Sequence, residues 1–505
     1  MQARRKTPSF SLQHRAGPNT TGATHDARPA APVTFLGSNM ANILIIAVNR
    51  QRLPYPAAPI GAAMIVGALN KAQHNARLLD LGPALHVKST LRRTIKNFSP
   101  DLIGFSMRNL DSCIMTSPES FLPEIKKVVG IVRQATSVPL IIGGAAFSLA
   151  PLEILNALGL EWGVVGEGER TCVDLVERLL SGNNPADIPG VAGRYGEMRY
   201  RENILDLDAL PRQEHRQIPL KTYVRWGGFA GIQTRRGCNL TCSYCVYPHL
   251  EGRRMRLRSA QSVVQEITDI RRSGCRHFYF VDSAFNHPRE HALAICDELA
   301  RANLDITWQA YINPSGLDET LARSMKASGC IGAELGLDAA CEPMLESMGK
   351  NFSLSEIAKA SKALQKADIP FAAHLLFGGP GETWRTIRDS AEFLDQHVHA
   401  NAIFPSIGIR VYRNTGVWKY CLDEGLLDAQ NTLLEPFYYC SPDLGPAPVA
   451  GIDELSIHRP TWSTPTDWNK SSLNMIMKLL GLFQQRPIWK NVRGYGKRKP
   501  MIHGR

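Results

Sequence analysis

The stretch Cys238-Asn239-Leu240-Thr241-Cys242-Ser243-Tyr244-Cys245 places three cysteines at C-x3-C-x2-C spacing. It follows the apolar run Gly231-Ile232-Gln233-Thr234 and the short basic segment Arg235-Arg236-Gly237, which predicts a strand that opens into a tight loop. Thiolates are soft ligands that suit iron–sulfur clusters and zinc. A zinc site would need a further donor, and His249 follows shortly after the last cysteine. The spacing predicts that Cys238, Cys242 and Cys245 bind a metal. Either an iron–sulfur cluster or zinc is compatible with it.

Length and composition describe a globular chain of about two or three domains. The chain has 505 residues, of which 44% are hydrophobic, and it contains no run of about 18 apolar residues that would predict a membrane span. The amino terminus is basic but lacks the apolar segment of a secretory signal. The 11 cysteines are irregularly spaced, which is not typical of a disulfide framework and favours the reducing cytoplasm.

The net charge of +12 is concentrated at the two ends of the chain. Residues 1–39 contribute +4 and residues 486–505 contribute +7, so the rest of the chain is nearly neutral. A basic tail can bind nucleic acid or an anionic surface, although solvated charged ends are the simpler interpretation. Residues 1–39 are rich in Pro, Thr, Ala and Arg without periodicity, and we interpret them as a disordered segment.

Residues 40–180 alternate apolar, strand-like runs with helical segments, beginning with the run Asn42–Val48. Such βα units predict an α/β fold, here a Rossmann-like parallel sheet covered by helices on both faces. Ligands bind these sheets at the carboxyl ends of the strands. Residues 181–225 hold Gly, Asn, Pro and mixed charges, and we interpret them as a linker.

A second βα series runs over residues 226–425 and includes the strand before the cysteines. Its six expected strands predict a partial (β/α)6 barrel with its site at the C-terminal strand ends. Residues 426–505 are irregular and rich in Pro and Trp, and they end in the basic tail. Their apolar segment Leu473–Phe483 is too short to span a bilayer. We expect this region to cap the barrel over the substrate, while peripheral contact with a membrane is the alternative.

The cysteine spacing, with an aromatic residue before the third cysteine, resembles the cluster loop of the radical S-adenosylmethionine (SAM) enzymes. In that family the three cysteines hold a [4Fe–4S] cluster, and the amino and carboxylate groups of SAM bind its fourth iron. One electron from the cluster cleaves SAM to a 5′-deoxyadenosyl radical. The resemblance also implies that Tyr244 lies against the adenine of SAM.

A Rossmann-like domain directly before such a loop is similar to the arrangement in the cobalamin-binding radical SAM enzymes, and this resemblance covers residues 40–425. It implies that polar and glycine residues at the first set of strand ends contact cobalamin, although ordinary βα turns would look alike. No D-x-H-x-x-G motif occurs in residues 40–180, so a histidine ligand below the cobalt is not expected. The candidate cobalamin contacts are Arg108, Asn109, Asp111, Gly143, Gly144, Gly166, Glu167 and Gly168.

Polar residues at the barrel strand ends are the expected contacts of SAM and substrate, with ordinary packing as the alternative. Glu334 lies within an apolar strand, where a carboxylate needs a partner such as a SAM donor or a structural ion pair. Arg410 would hold the SAM carboxylate. The candidate catalytic residues are Tyr311, His374 and Tyr412, and the further candidate SAM contacts are Asp282, Ser283, Asn313, Gly378 and Gly379.

The resemblance implies a cobalamin-dependent radical SAM C-methyltransferase that acts on an unactivated carbon of a small, natural-product-like molecule, as in antibiotic biosynthesis. A flavodoxin or ferredoxin would supply the electron. One alternative keeps the cofactors but performs an oxidative cyclisation or ring rearrangement. Another is an RNA-modifying enzyme that uses the basic tails. A methylthiotransferase would need a second cluster, for which the amino-terminal half offers only Cys113 and Cys172.

Overall fold

The structure of the chain is a computed structural model that describes residues 40–52, 56–196, 198–468 and 486–491. The predicted disordered segment 1–39 and the predicted helix Leu473–Phe483 lie outside the described residues, as does most of the basic C-terminal tail. No helix within the described ranges is long and apolar enough to cross a bilayer.

The first sheet contains six strands, namely β1 (Asn42–Ala47), β2 (Asn75–Asp80), β3 (Leu102–Ser106), β4 (Leu140–Gly143), β5 (Trp162–Val164) and β6 (Val191–Gly193). Their order is β2-β1-β3-β4-β5-β6, and the first five strands run parallel. The predicted Rossmann-like sheet is therefore confirmed. Its last strand, β6, is antiparallel to β5 and lies in the segment interpreted as a linker. The sheet thus extends past residue 180, because this three-residue strand is too short to leave a pattern in the sequence.

Helices cover both faces of the first sheet because its central strand is apolar on both sides. Leu44 and Ile46 of β1 pack into one core, whereas Ile43 and Ile45 pack into the other. Alternate side chains of a strand point to opposite faces, so a buried parallel strand is apolar throughout. The helices are α1 (Ile60–Lys71), α2 (Val87–Phe98), α3 (Leu122–Ala135), α4 (Ala145–Leu149), α5 (Pro151–Leu158) and α6 (Gly168–Leu180).

The remaining strands are β7 (Ala230–Ile232), β8 (Arg235–Arg236), β9 (Arg256–Leu257), β10 (His277–Phe280), β11 (Thr307–Ile312), β12 (Cys330–Asp338), β13 (Phe371–Phe377), β14 (Ala402–Ile407), β15 (Ile409–Arg410) and β16 (Tyr438–Tyr439). Six of them form an all-parallel sheet in the order β14-β13-β12-β11-β10-β7. β7 and β14 are its two edges and do not pair with each other. The predicted partial barrel is confirmed. Two small antiparallel pairs, β8 with β9 and β15 with β16, extend from its rim.

In the part of the chain that the structure describes, eleven further helices follow the first domain: α7 (Leu220–Arg225), α8 (Tyr247–Leu250), α9 (Ala260–Arg272), α10 (Arg289–Ala302), α11 (Glu319–Ala327), α12 (Glu342–Ser347), α13 (Leu354–Lys366), α14 (Trp384–His397), α15 (Gly416–Asp423), α16 (Pro448–Ser456) and α17 (Pro465–Trp468). Local sequence determines where several of them begin. Ser353 and Glu356 form a capping box at the start of α13, and Asp318 accepts a hydrogen bond from the Leu321 amide at the start of α11.

The barrel strands separate an outer apolar face from an inner polar one. Along β11, Trp308, Ala310 and Ile312 belong to the core shared with the surrounding helices. Gln309 and Tyr311 alternate with them and therefore point to the inside of the barrel. The polar and aromatic side chains that could meet a substrate are thus confined to one face of the sheet.

Residues 181–225 are not the loose connection that their composition suggested. Ile204, Leu207 and Tyr223 from this segment are all buried. Gln217 pairs with the free edge of β2, because the Leu78 amide donates to its side-chain oxygen at 2.7 Å and its side-chain nitrogen donates to the Ala76 carbonyl at 3.2 Å. This segment therefore covers an exposed sheet edge, which would otherwise leave backbone groups unpaired.

Two stretches of the described C-terminal region close the outer edge and the floor of the barrel, while the cap over its mouth stays an expectation. Residues 461–463 pair with the outer edge of β14, where the Ile403 amide donates to the Thr461 carbonyl at 2.8 Å. Trp489 packs against Ala372, Ala402 and Phe404. Since Ala372 and Ala402 lie at the beginning of their strands, the segment 486–491 closes the floor of the barrel. Small residues there leave the space that Trp489 fills.

Trp462 secures this added edge, and its removal tests the contribution of residues 461–463 to stability. Its side chain is buried and stacks on Phe377, with 6.5 Å between ring centroids. We expect Trp462→Ala to lower the free energy of unfolding by about 3–5 kcal/mol because it leaves a cavity. Denaturant unfolding measures the change. Ile457→Ala, at a side chain that is 51% exposed, is the control. Equal unfolding midpoints for both variants would contradict the assignment.

Candidate functional site

The loop that carries the three cysteines rises from a rigid stem. Arg235 is buried, and its guanidinium donates to the carbonyl oxygens of Gly237 and Ala284. Asp282 accepts hydrogen bonds from the Thr234 amide at 2.9 Å, the Thr234 hydroxyl at 2.8 Å and the Arg235 amide at 3.2 Å. The carboxylate of Asp282, a candidate SAM contact, thus anchors the stem of the loop.

Close backbone contacts hold the loop from both sides. Gly237 has φ +90°, and a side-chain Cβ there would lie 2.1 Å from the Arg254 carbonyl oxygen, so only glycine fits. The Cys238 amide donates to the Gly252 carbonyl at 3.0 Å. Further along the loop, the Ser243 amide donates to the Met348 carbonyl at 3.0 Å. The path of the loop is thus determined before any metal binds.

The three thiols adjoin one another inside this loop. Burial is the main cause that raises the pKa of Cys245 to about 12, and the neighbouring Cys242 and Cys238 add to it. Within the described part of the chain, no group of three or more His, Cys, Asp or Glu side chains is arranged to hold a single metal ion. A [4Fe–4S] cluster binds each thiolate at a different iron, and three neighbouring thiols in one loop suit such a cluster.

Lys350 and Asp338 form a charged pair beside the cysteines that the sequence reasoning missed. The Lys350 ammonium lies 2.5 Å from the Asp338 carboxylate, which also accepts a hydrogen bond from the Tyr244 hydroxyl. Burial alone would lower the pKa of Lys350, but Asp338 and Cys242 outweigh it and raise this pKa, so the side chain stays positive. The alternation Glu334-Gly336-Asp338 on one face of β12 was an available signal for Asp338.

Tyr311, Glu334 and His374 come together on the inner face of the barrel. They belong to the neighbouring strands β11, β12 and β13, and Tyr311 is directly opposite Glu334. The His374 Nε2 lies 3.1 Å from a Glu334 carboxylate oxygen, and the rings of Tyr311 and His374 have centroids 5.6 Å apart. Glu334 is 2% exposed whereas Tyr311 is 39% exposed, so the phenol lines open space. The negative charge of Glu334, followed by burial, raises the pKa of Tyr311 far above its usual value.

Arg410 is not available to a SAM carboxylate, contrary to expectation. Its Nε donates to the Asp111 carboxylate at 2.8 Å, and its other nitrogens donate to the carbonyl oxygens of Val411 and Leu433. Asp111, expected to contact cobalamin, is used in the same buried ion pair. Tyr412 lies at this contact as well, with its hydroxyl 3.2 Å from the Cys113 sulfur.

Glu167, a candidate cobalamin contact, likewise forms ion pairs inside the protein. Its carboxylate pairs with Arg256 and lies 3.7 Å from Arg236. Glu169, two residues later, pairs with Arg236. Burial alone would raise the pKa of Glu169, but the guanidinium of Arg236 outweighs it and lowers this pKa. These four charges join the first domain to the β8–β9 hairpin at the stem of the cysteine loop.

Three of the candidate glycines of the first domain are closely packed, and Gly144 is the most tightly constrained of them. Gly144 has φ +107°, and a Cβ there would lie 2.4 Å from the Met107 carbonyl oxygen. A Cβ on Gly168 would lie 2.7 Å from Ile65, and one on Gly143 would lie 3.3 Å from the Val164 carbonyl. The expected approach of cobalamin to these glycines stays a prediction.

Three barrel candidates are also engaged within the protein. The amides of Gly378 and Gly379 both donate to Glu382, and burial raises the pKa of that carboxyl to about 7. Asn313 donates to the Asn351 side chain at 2.9 Å and accepts from the Ser315 amide. The Ser283 hydroxyl accepts from Arg235 at 2.9 Å but is only half-buried, so it retains a free proton for a ligand.

Arg108, Asn109 and Gly166 face open space at the carboxyl edge of the first sheet. Water reaches the Arg108 side chain, yet the surrounding protein lowers its pKa through burial, as expected in a cleft. Among the described residues, no hydrogen bond or ion pair satisfies its guanidinium. A small cavity adjoins Arg108 and Asn109, and no atom lies within 4 Å of a Cβ built on Gly166. These unpaired donors fit the amide oxygens at the rim of a corrin ring.

Comparison with known proteins gives two matches that follow one another along the chain. Residues 46–176 match the B12 binding domain, and residues 232–394 match the Radical SAM superfamily. The first match runs from the end of β1 to beyond β5, and the second covers the cysteine loop and four of the six barrel strands, β10 to β13.

The same two-domain arrangement occurs in relatives and in a solved structure. The chain is 26% identical to a tryptophan 2-C-methyltransferase from Streptomyces laurentii, over 74% of this chain and 73% of that protein. It is 26% identical to the hopanoid C-3 methylase of Methylococcus capsulatus, over 60% of this chain and 58% of that protein. The fold matches the radical SAM methyltransferase TsrM from Kitasatospora setae, solved with cobalamin and a [4Fe–4S] cluster, with a TM-score of 0.80 and 22% identity over 90% of this chain and 98% of that one. The chain therefore joins a B12-binding domain to a radical SAM domain, which is the arrangement of the cobalamin-binding radical SAM enzymes.

Proposed function

We propose that this protein is a cobalamin-dependent radical SAM C-methyltransferase acting on an unactivated carbon of a small, natural-product-like molecule. The observation that carries the proposal is the direct ionic link between the two domains at the stem of the cysteine loop. Glu169 of the first domain binds Arg236, which lies two residues before Cys238. The open edge of the B12-binding sheet and the metal-binding loop therefore serve one cleft. The names of the relatives, both C-methylating enzymes, support the same reaction.

One group of residues binds the cofactors, and another binds the substrate. When bound, the cluster with SAM supplies a 5′-deoxyadenosyl radical, and cobalamin supplies the methyl group. Cys238, Cys242 and Cys245 hold the cluster, and the positive charge of Lys350 offsets the negative charge that accumulates there. Arg108 and Asn109 donate hydrogen bonds to the cobalamin.

The inner face of the barrel would hold and orient the methyl acceptor. Tyr279, Tyr311, His374 and Phe404 form a row of rings whose successive centroids are 6.0, 5.6 and 5.2 Å apart. A planar ring packs favourably against such a surface, which favours an aromatic acceptor. Glu334 hydrogen-bonds both the Tyr311 hydroxyl and His374 and so holds the two rings in position, and the Tyr311 hydroxyl offers its proton to the acceptor.

Two further assignments accompany the proposal. A low-potential electron carrier such as flavodoxin or ferredoxin reduces the cluster, because cleavage of SAM consumes one electron. The protein works in the cytoplasm, since all of its cysteines are free thiols and a [4Fe–4S] cluster needs reducing surroundings. We also propose that residues 40–193 bind cobalamin, residues 226–425 bind the cluster and SAM, and the following residues shape the substrate chamber.

Anaerobic reconstitution with metal analysis tests the proposal. We expect about four irons and one cobalt per chain. Tryptophan and simple aryl compounds are the first acceptors to assay, and the product should gain the mass of one methylene group. Iron uptake without cobalt would refute the cobalamin assignment. A product that gains no carbon would show that the enzyme catalyses a cyclisation or rearrangement instead of a methyl transfer.

Gly237→Ala tests the cysteine loop as the cluster site. The added methyl group meets the Arg254 carbonyl, and the positive φ costs about 1–3 kcal/mol more for alanine, so the loop should move. We expect the iron content after reconstitution to fall well below the wild-type value, as read by iron analysis and the cluster absorption band. Gly61→Ala is the control, because a Cβ there meets no atom within 4 Å. Equal iron contents in both variants would place the cluster elsewhere.

Tyr311→Phe tests the substrate-facing cluster. With the acceptor found in the assay above, we expect kcat to fall roughly 100-fold through loss of the hydroxyl proton donor, while SAM still binds with wild-type affinity. Product formation and equilibrium SAM binding provide the two measurements. Tyr195→Phe, at a tyrosine that is 79% exposed, is the matched control. An unchanged kcat would remove Tyr311 from the reaction.

A further inference from the structure

The turn after β5 is bound to the barrel domain by buried ion pairs. Glu169 accepts from Arg236 at 3.2 Å through one oxygen and binds it more closely through the other. Glu167 binds Arg256, and its second oxygen accepts from the Ile204 amide at 2.8 Å. None of these four charged side chains is more than 9% exposed. The turn that was expected to face the cofactor is therefore bound to the stem of the cysteine loop.

A second contact of this kind lies at the end of β3. The Asp111 side chain is 0% exposed and the Arg410 side chain 3% exposed. A third, partly exposed pair joins Glu153 of α5 to Arg413 at 2.6 Å. In each pair the carboxylate belongs to the first domain and the guanidinium to the barrel. All of these ion pairs therefore have the same polarity, with the negative charge on the first domain and the positive charge on the barrel.

The connection between the domains is itself bound to both of them. Gln213 is buried and donates to the Gly231 carbonyl of β7 at 2.9 Å. Gln217 pairs with β2, and the Tyr223 hydroxyl donates to the Asp80 carboxylate at 2.7 Å. Contacts at β2, β3 and β5 are thus spread across the width of the first sheet. A hinge motion about any one of them would break the others.

We propose that Asp111, Glu167 and Glu169 are positioning residues that hold the B12-binding domain stationary against the barrel. One fixed arrangement then serves both steps, the transfer of a methyl group from SAM to cobalamin and its delivery to the acceptor. The inference rests on the proposed function, since it concerns the two cofactors of that reaction. Separation of the domains would expose several charges that are now matched, and removal of one partner leaves the other buried and unpaired.

Hydrogen exchange of the cofactor-free full-length protein tests the stationary interface without reference to activity. The Leu78 amide reports the contact between β2 and Gln217, and it lies outside the ion pairs. In the double variant Glu167→Gln/Glu169→Gln we expect this amide to exchange about tenfold faster than in the wild type. Asp111→Asn should also make the Leu78 amide exchange faster. This variant carries the test if the double variant does not fold. Glu319→Gln, which breaks the exposed pair with Lys366, is the control.

A second measurement uses the reconstituted enzyme and separates positioning from binding. We expect both interface variants to take up iron and cobalt as the wild type does. The SAM-dependent change in their cobalamin absorption should be roughly tenfold slower or more, while acceptor-free cleavage of SAM continues at the wild-type rate. Unchanged Leu78 exchange together with an unchanged cobalamin rate would overturn the proposal. Failure of the wild type to bind cobalt would refute the proposed function alone, because the exchange measurement would still decide whether the domains are fixed.

Discussion

The ion pair between Glu169 and Arg236 joins the first domain to the barrel next to the loop that carries the three cysteines. Arg236 lies in the short strand that leads into the cysteine loop, and Glu169 lies in the first turn of α6. Two buried charges stabilise a structure only when each satisfies the other, so the pair defines one relative position of the two domains. The contact of residues 213–223 with both domains, which covers the edge of β2, is compatible with that position alone.

The sequence was sufficient for the fold because the fold is recorded in local patterns. Apolar runs such as Asn42–Ala47, separated by amphipathic helices, predict parallel strands, and the cysteine spacing identifies the loop at the top of the barrel. Both predictions are confirmed. The strand β6 escaped notice because three residues are too few to show a period. The segment 181–225, interpreted as a linker, also covers the edge of β2, which its polar composition does not reveal.

The site was harder to predict because a charge in a sequence does not reveal its partner. Glu167 and Asp111 were assigned to cobalamin and Arg410 to SAM, yet each is paired with an opposite charge about ninety or more positions away. Lys350 was missed for the same reason, since nothing near it in the sequence points to Asp338 or the cysteines. Tyr311, Glu334 and His374 were found because strand alternation is a local rule that places them on one face.

The floor of the barrel has a consequence for how this scaffold diversifies. Trp489 occupies the space left by Gly332, Ala372 and Ala402, and it comes from a segment far downstream of every cofactor-binding loop. The residues that determine the depth of the chamber are therefore different from the residues proposed to bind the cofactors at its mouth. Exchange of a few terminal residues would reshape the volume offered to a guest molecule while the catalytic apparatus stayed intact. The end of the chain is thus a place where evolution can change selectivity without rebuilding the enzyme.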